Sequence, residues 1–148
     1  DMEHFEQLPS PLTRVSQLNL MGNPDSCGVW APDLSYDGER FWLVFTDVKT
    51  RSNSCYYNTH NYVVWSKNIR EGWSEPVYLN SAGFDPSFFH EKDGTMYLVN
   101  MINGFEGIQI QEFDKEQMCL IKEPMSAKEL EGDLRKVLIC IILESGII

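Results

Sequence analysis

Aromatic side chains and carboxylates are the residues of this sequence whose types and spacing could do chemistry. The tryptophans all lie in its first half, at positions 30, 42, 65 and 73. Such a density of flat rings suits either a β-rich core or a surface that stacks on flat ligands such as sugar rings. Asp85 stands between Phe84 and Pro86, and from its type alone it reads as an aspartate that initiates a turn before a proline.

The cysteines and histidines predict neither a metal site nor a bound cofactor. The cysteines, at positions 27, 55, 119 and 140, form no CxxC pair and no cluster with histidine at zinc-binding spacing. Cysteines scattered in this way along a chain of 148 residues favour reduced thiols. We therefore expect a cytoplasmic protein of bacterial type.

The bulk composition excludes two classes of partner. The formal net charge of −10 argues against nucleic acid, because an acidic chain repels phosphate backbones. The longest apolar run, residues 137–143, is too short to cross a bilayer, so we expect no membrane association. Hydrophobic residues make up 43% of the chain, which is typical of a globular protein and not of a disordered one.

Short segments rich in aromatic and β-branched residues predict an all-β fold. Each is bounded by Gly, Pro, Asn or Asp, as strands separated by turns are. The predicted strands are residues 40–47, 61–66, 85–90, 95–101 and 107–113. Asp-Gly pairs at 37–38 and 93–94 predict hairpin turns, because glycine adopts the positive φ that such turns need. Residues 125–136 alone have a helix-like composition, which Gly132 interrupts.

A weak internal repeat indicates that the strands form similar successive units. Residues 31–43 and 85–98 follow one plan: a proline, a short strand, an Asp-Gly turn and an aromatic-rich strand. A further pair of strands follows each unit, 61–66 with 76–79 and 107–113 with 118–122. Four-strand units that repeat every few dozen residues are typical of propeller blades. The alternative is two unrelated hairpins in a β-sandwich.

Three segments carry a resemblance to a known family. Residues 28–34 (GVWAPDL) resemble the G-[VI]-W-A-P segment of glycoside hydrolase family 43, and residues 73–76 (WSEP) resemble its W-S-x-P segment. Residues 83–89 (GFDPSFF) resemble its G-[IF]-D-[PA]-S-[LF]-F motif. In this order, the three motifs identify residues 10–123 as similar to the β-xylosidase and α-L-arabinofuranosidase branch of that family.

The resemblance implies a five-bladed β-propeller with the sugar bound at its central axis. A chain of 148 residues is expected to form only two to three blades, so residues 1–148 are interpreted as a partial propeller domain. Residues 124–148 depart from the family pattern. A propeller stopped at this point has open edges, which favour a homo-oligomer paired through them. Truncation, a frameshift or such pairing would each account for the chain.

The resemblance also implies inverting hydrolysis of a glycosidic bond, for which one carboxyl group acts as acid and another as base. A third carboxylate orients the acid and raises its pKa, and the motif assigns this role to Asp85. Trp30, Ala31 and Phe84 match substrate-binding positions, although Trp30 could instead pack in a blade core. Asp33 is interpreted as a turn or strand-start residue.

The other two carboxylates are harder to find. Glu131 is the candidate general acid, but the Pro-His-Leu-Tyr that follows this residue in the family is missing, and a solvated surface glutamate is an equal alternative. Glu144 is not assigned a catalytic role. The family places its general base in a D-P-[DS] motif upstream of the tryptophan, and none of the 29 residues before Trp30 match it. The histidines, at positions 4, 60 and 90, do not match the position that holds a channel cation in some relatives.

Two functions follow from this sequence. The first is a glycoside hydrolase that removes terminal xylosyl or arabinofuranosyl units from hemicellulose oligosaccharides with inversion. The second is an inactive fragment, or a non-catalytic carbohydrate-binding or interaction module, that lacks the general base. A second and a third carboxylate near Asp85 would favour the enzyme. We expect this polypeptide by itself to have little or no activity.

Overall fold

The computed structural model describes residues 3–51 and 57–126, which form two four-stranded antiparallel sheets. The first sheet contains β1 (Gly28–Tyr36), β2 (Phe41–Arg51), β3 (Tyr57–Ser66) and β4 (Val77–Asn80). The second contains β5 (Gly83–His90), β6 (Met96–Ile102), β7 (Ile108–Asp114) and β8 (Cys119–Ser126). In both sheets the strands neighbour one another in chain order. The described residues hold one helical element, a 3₁₀ turn at Asn103–Phe105.

The two sheets confirm the repeat that the sequence predicts. The β1–β2 and β5–β6 hairpins both close at an Asp-Gly pair, where Gly38 has φ 98° and Gly94 has φ 92°. The prediction for residues 125–136 is wrong at its start. Met125 and Ser126 belong to β8, because they pair with β7, and this pairing overrides their helix-like composition. The rest of that segment lies outside the described residues.

The main core lies between the sheets, where one face of the first packs on one face of the second. Its aromatic centre is a cluster of three rings: the centroid of Phe113 lies 5.9 Å from that of Trp42 and 5.2 Å from that of Phe88. The buried residues of this core are Trp42, Val44, Val63, Leu79, Phe88, Met96, Leu98 and Phe113. This packing places β1 beside β5, as adjacent blades of a propeller require.

The outer face of the first sheet is covered by the N-terminal segment. Leu12 and Leu18 pack on a cluster that includes Phe45 and Trp73. The buried Gln17 fixes this segment, since its Nε2 donates to the Ser74 carbonyl at 2.9 Å while its Oε1 accepts from two backbone N–H groups. The segment that precedes the first sheet therefore packs as part of the same structure.

A polar seam runs beside the core, between β1 and the second sheet. The Phe88 N–H donates to Asp33 Oδ2 at 3.2 Å, and His90 Nε2 lies 2.9 Å from Ser35 Oγ. The expectation that Asp33 is a turn or strand-start residue is wrong, since it lies inside β1. It is the first residue after a bulge to pair with β2 again, opposite Val44. Desolvation by burial raises the pKa of Asp33, and the Phe88 N–H partly offsets that rise.

An ion pair between Asp37 and Lys115 lies at the end of the seam near the β1–β2 turn. Lys115 Nζ lies 3.5 Å from Asp37 Oδ2. Desolvation opposes ionisation of Asp37, but the backbone N–H groups of Arg40 and Glu39 donate to its carboxylate and lower its pKa to about 2. Desolvation lowers the pKa of His90, and the carboxylates of Asp37 and Asp33 offset only part of this effect.

Truncating the aromatic cluster at Phe113 is expected to destabilise the chain severely. Phe113 is only 3% exposed, and replacing a buried Phe by Ala typically costs about 3–5 kcal/mol of unfolding free energy. Urea unfolding of Phe113→Ala measures this loss. Phe5→Ala is the matched control, since Phe5 is 84% exposed and its removal is expected to change stability by about 0.5 kcal/mol or less. Equal losses in both variants would contradict the placement of the core.

The seam predicts a pH dependence of stability that is specific to His90. The folded chain favours the neutral ring, whereas the unfolded chain binds a proton at a pKa of about 6.5. Stability therefore falls as the pH drops from about 6.5 towards the lower folded pKa, with a slope of at most about 1.4 kcal/mol per pH unit. His90→Gln is expected to flatten this slope in urea titrations, while His4→Gln, at an exposed position, retains it. An unchanged slope in His90→Gln would refute the assignment.

Candidate functional site

Two matching bulges interrupt the strands that face each other across the sheets. In β1, Trp30 pairs with Thr46 and Asp33 pairs with Val44, so two residues oppose one. In β5, Phe84 pairs with Met101 and Ser87 pairs with Val99, so two residues again oppose one. A bulge of this kind bends the strand and re-aims the side chain at its centre.

The residue before proline in each bulge has a strained backbone. Ala31 has φ 38° and Asp85 has φ 53°, a region that residues with a Cβ rarely adopt. Such strain costs about 1–3 kcal/mol and persists only where the surrounding structure enforces it, most often at functional sites. The two strained residues occupy equivalent places in the two sheets, but only the second carries a carboxylate.

The Asp85 side chain is exposed at its bulge. The protein around it still removes part of its hydration, and this desolvation raises the pKa of its carboxyl group. Asp85 is thus an accessible carboxylate that holds a proton more readily than an ordinary aspartate. Its neighbour Phe84 is buried and forms part of an aromatic cluster.

Three aromatic rings meet beside the bulges. The centroid of Trp30 lies 6.0 Å from that of Phe84 and 5.5 Å from that of Tyr57, with all three pairs edge to face. The Trp30 Nε1–H donates to the Ser26 carbonyl at 2.9 Å, which fixes the indole. Trp30 is half-buried and stands apart from the core between the sheets. The rings can therefore offer a wall against which a sugar face could pack.

The structure brings Trp30, Phe84 and the exposed Ala31 and Asp85 to one end of the two sheets, where both bulges lie. Tyr57 was missed by the sequence prediction because β3 was expected to begin only at residue 61. The ladder between β2 and β3 continues to the pair Arg51–Tyr57, and this extension carries Tyr57 to the aromatic cluster. The residues before 61 are mostly polar, so the sequence did not indicate that β3 begins as early as Tyr57.

Of the other residues considered in the sequence, the described histidines His60 and His90 lie away from this cluster. Glu131 and Glu144 lie outside the described residues. His60 Nδ1 lies 2.9 Å from Ser81 Oγ, and His90 belongs to the seam. Across residues 3–51 and 57–126, no group of three or more His, Cys, Asp or Glu side chains is arranged to hold a metal ion.

Cys27 and Cys119 are free thiols. No helix in the described part of the chain has the length and apolar character needed to cross a bilayer.

Comparison with known proteins identifies the fold and the family. The model of the family Glycosyl hydrolases family 43 matches residues 1–138. Xylosidase/arabinosidase 43B of Humicola insolens is 53% identical over 128 residues, which are 82% of this chain and 24% of that protein. Beta-xylosidase of Bacillus subtilis is 46% identical over 144 residues, 93% of this chain and 26% of that protein.

A solved structure extends the likeness to three dimensions. The crystal structure of xylan beta-1,4-xylosidase from Bacillus halodurans superposes with a TM-score of 0.80 at 45% identity, covering 86% of this chain and 26% of that one. The expected all-β, partial-propeller fold is thereby confirmed. This chain spans about a quarter of the length of the relatives it matches. It belongs to glycosyl hydrolases family 43.

Proposed function

We propose that this chain contributes two blades and one catalytic carboxylate to a glycoside hydrolase that removes terminal xylosyl or arabinofuranosyl units with inversion. The observation that carries the proposal is the strained, exposed Asp85 beside an aromatic cluster, in a chain of family 43. Xylo- or arabino-oligosaccharides of hemicellulose are the proposed substrates, because the relatives are named as xylosidases and arabinosidases.

In this proposal Asp85 orients the general acid and raises its pKa. A second negative charge close to a carboxyl group disfavours ionisation, so the acid keeps its proton until the leaving oxygen takes it. Glu131 remains the candidate general acid. Trp30, Ala31 and Phe84 are proposed to line the pocket, and we include Tyr57 because its ring contacts those of Trp30 and Phe84. Rings of this kind exclude bulk water from the reacting centre.

A second candidate is an inactive fragment or a non-catalytic carbohydrate-binding module. It is favoured by one specific observation: of the described residues inside the two bulges, Asp85 alone carries a carboxylate, so this part of the site holds neither the general acid nor the general base. Inversion requires this base on the far side of the sugar from the acid, with room for a water between base and sugar.

The domain organisation, the oligomeric state and the location of the chain are also proposed. Residues 1–148 are interpreted as one partial propeller domain, for which we propose a homo-oligomer that pairs through the edges of its sheets. The free thiols at Cys27 and Cys119 support a cytoplasmic location. The acidic charge supports the absence of a nucleic-acid partner, and no membrane partner is proposed.

Hydrolysis tests the proposed role of Asp85. The purified chain is assayed with p-nitrophenyl β-D-xylopyranoside and p-nitrophenyl α-L-arabinofuranoside, and we expect little or no release of nitrophenol. Any release should fall by about 10²- to 10⁴-fold in Asp85→Asn, the usual worth of an acid–base group. Asp93→Asn is the matched control, because Asp93 lies at the far hairpin turn and its Oδ1 acceptor is kept.

The outcomes separate the two candidates. Release that disappears in Asp85→Asn but survives in Asp93→Asn supports the hydrolase. Release that is equal in all three proteins contradicts the role of Asp85. No release from any of them, with the chain folded, is the result expected of the chain by itself; it favours the inactive fragment, and the hydrolase activity would then be that of the enzyme from which such a fragment comes.

Sugar binding tests the aromatic wall independently of turnover. Xylobiose is expected to change the tryptophan fluorescence of the chain on binding. Tyr57→Ala should weaken this binding about two- to tenfold, since a packed aromatic pair contributes about 0.5–1.5 kcal/mol. Tyr36→Ala serves as the control, because Tyr36 is exposed at the opposite end of β1. Identical affinities for Tyr57→Ala and the unmodified chain would contradict the wall.

A further inference from the structure

A chain of buried polar side chains joins the two bulges of the candidate site. It begins at Thr46, which pairs with Trp30 across the first bulge, and it ends at Asn100, the single residue opposite Asp85 and Pro86 in the second. Thr46, Asn61 and Asn100 are at most 1% exposed. Asparagine is mostly a surface residue, and when buried it must find hydrogen-bond partners.

Each link of this polar chain is a hydrogen bond between side chains. Thr46 Oγ1 donates to Asn61 Oδ1 at 2.7 Å, and Asn61 Nδ2 donates to Asn80 Oδ1 at 2.9 Å. Asn80 Nδ2 then donates to Asn100 Oδ1 at 3.3 Å, across the gap between the two sheets. Networks of this kind are rigid when every member is satisfied.

The same side chains also hold the backbone that leads into Asp85. Asn61 Nδ2 donates to the Gly83 carbonyl at 3.1 Å, and the Ala82 N–H donates to Asn80 Oδ1 at 3.1 Å. On the other strand, Asn100 Nδ2 donates to the Met101 carbonyl at 3.0 Å. A Cβ atom at Gly83 would lie 1.6 Å from that carbonyl oxygen, so glycine is required for the strands to approach this closely.

We propose that Asn61 and Asn80 are positioning residues, which hold the backbone before Asp85 so that its bulge and the direction of its carboxylate are maintained. This inference deepens the proposed function and rests on it for the role of Asp85. A leucine at position 61 would fill the same space but leave the Gly83 carbonyl and the Thr46 hydroxyl without their present partner. The strained backbone at Asp85 would then lose a contact that enforces it.

The test is carbon-13 NMR of the chain with labelled aspartate, compared between the unmodified protein and Asn61→Leu. The Asp85 signals are assigned with Asp85→Asn. In Asn61→Leu we expect the Asp85 Cα shift to move from its left-handed value towards that of an extended strand. We also expect the pKa of its carboxyl group to fall towards that of an ordinary aspartate, because a relaxed bulge lets water reach it.

Ser66→Ala is the matched control. Ser66 is buried in the same strand at the opposite end, and its Oγ also bonds backbone groups, those of Asn68 and Glu71. Its loss should reduce stability without moving either Asp85 signal. A folded Asn61→Leu chain with unchanged Asp85 signals would overturn the proposal, and so would an equal change in Ser66→Ala. Should Asn61→Leu fail to fold, Asn80→Ala decides the matter, since Asn80 is only half-buried and the same Asp85 changes are expected there.

These readouts need neither substrate nor turnover. Unchanged Asp85 signals would therefore overturn the positioning role while the hydrolase proposal stood. Conversely, hydrolysis that does not depend on Asp85 would overturn the catalytic role while leaving the structural effect of Asn61 measurable.

Discussion

The packing of the first sheet on the second is the interaction on which the rest of this structure depends. Trp42 from β2 meets Phe88 and Phe113 from the second sheet, and this buried face fixes how the two sheets are placed. β1 and β5 lie side by side as a consequence. Residues 30 and 84 come into ring contact although 54 positions separate them in the chain.

Polar contacts at both ends of that interface complete what the apolar core begins. At one end the seam joins Ser35 to His90 and Asp37 to Lys115. At the other end the asparagine chain crosses from Asn80 to Asn100. Because polar groups between packed sheets must be hydrogen-bonded, these contacts restrict the sheets to one alignment, whereas apolar contacts alone would tolerate small slides.

The same strained backbone position occurs once in each sheet, but the two sheets carry different side chains there. Ala31 and Asp85 both precede a proline at positive φ in a two-to-one bulge. The first sheet puts a methyl group there and the second a carboxylate. Two aspartates of raised pKa also differ in setting: Asp33 accepts the Phe88 N–H inside the seam, while Asp85 is exposed at the bulge. This exposed placement is why the proposed catalytic role falls to Asp85 and not to Asp33.

The sequence by itself determined the strand order, the hairpin turns and the family. Short segments rich in aromatic and β-branched residues and Asp-Gly pairs are local signals, and the GFDPSFF segment is a contiguous motif, so none of them needs long-range information. The same motif named Phe84 and Asp85 without reference to any fold. Residue 85 was predicted as the first residue of a strand, and the structure places it within β5, at a bulge that the sequence did not predict.

Only the tertiary structure decided which residues meet. Tyr57 reaches the aromatic cluster because the β2–β3 ladder runs on to Arg51, and pairing across strands has no signature in a single sequence. Residues 61 and 100 fall in predicted strands, but nothing in the sequence indicates that Asn61, Asn80 and Asn100 are hydrogen-bonded in series. They become one buried chain only when two sheets pack, because hydrogen bonds between residues about 20 positions apart depend on the fold and not on local propensity.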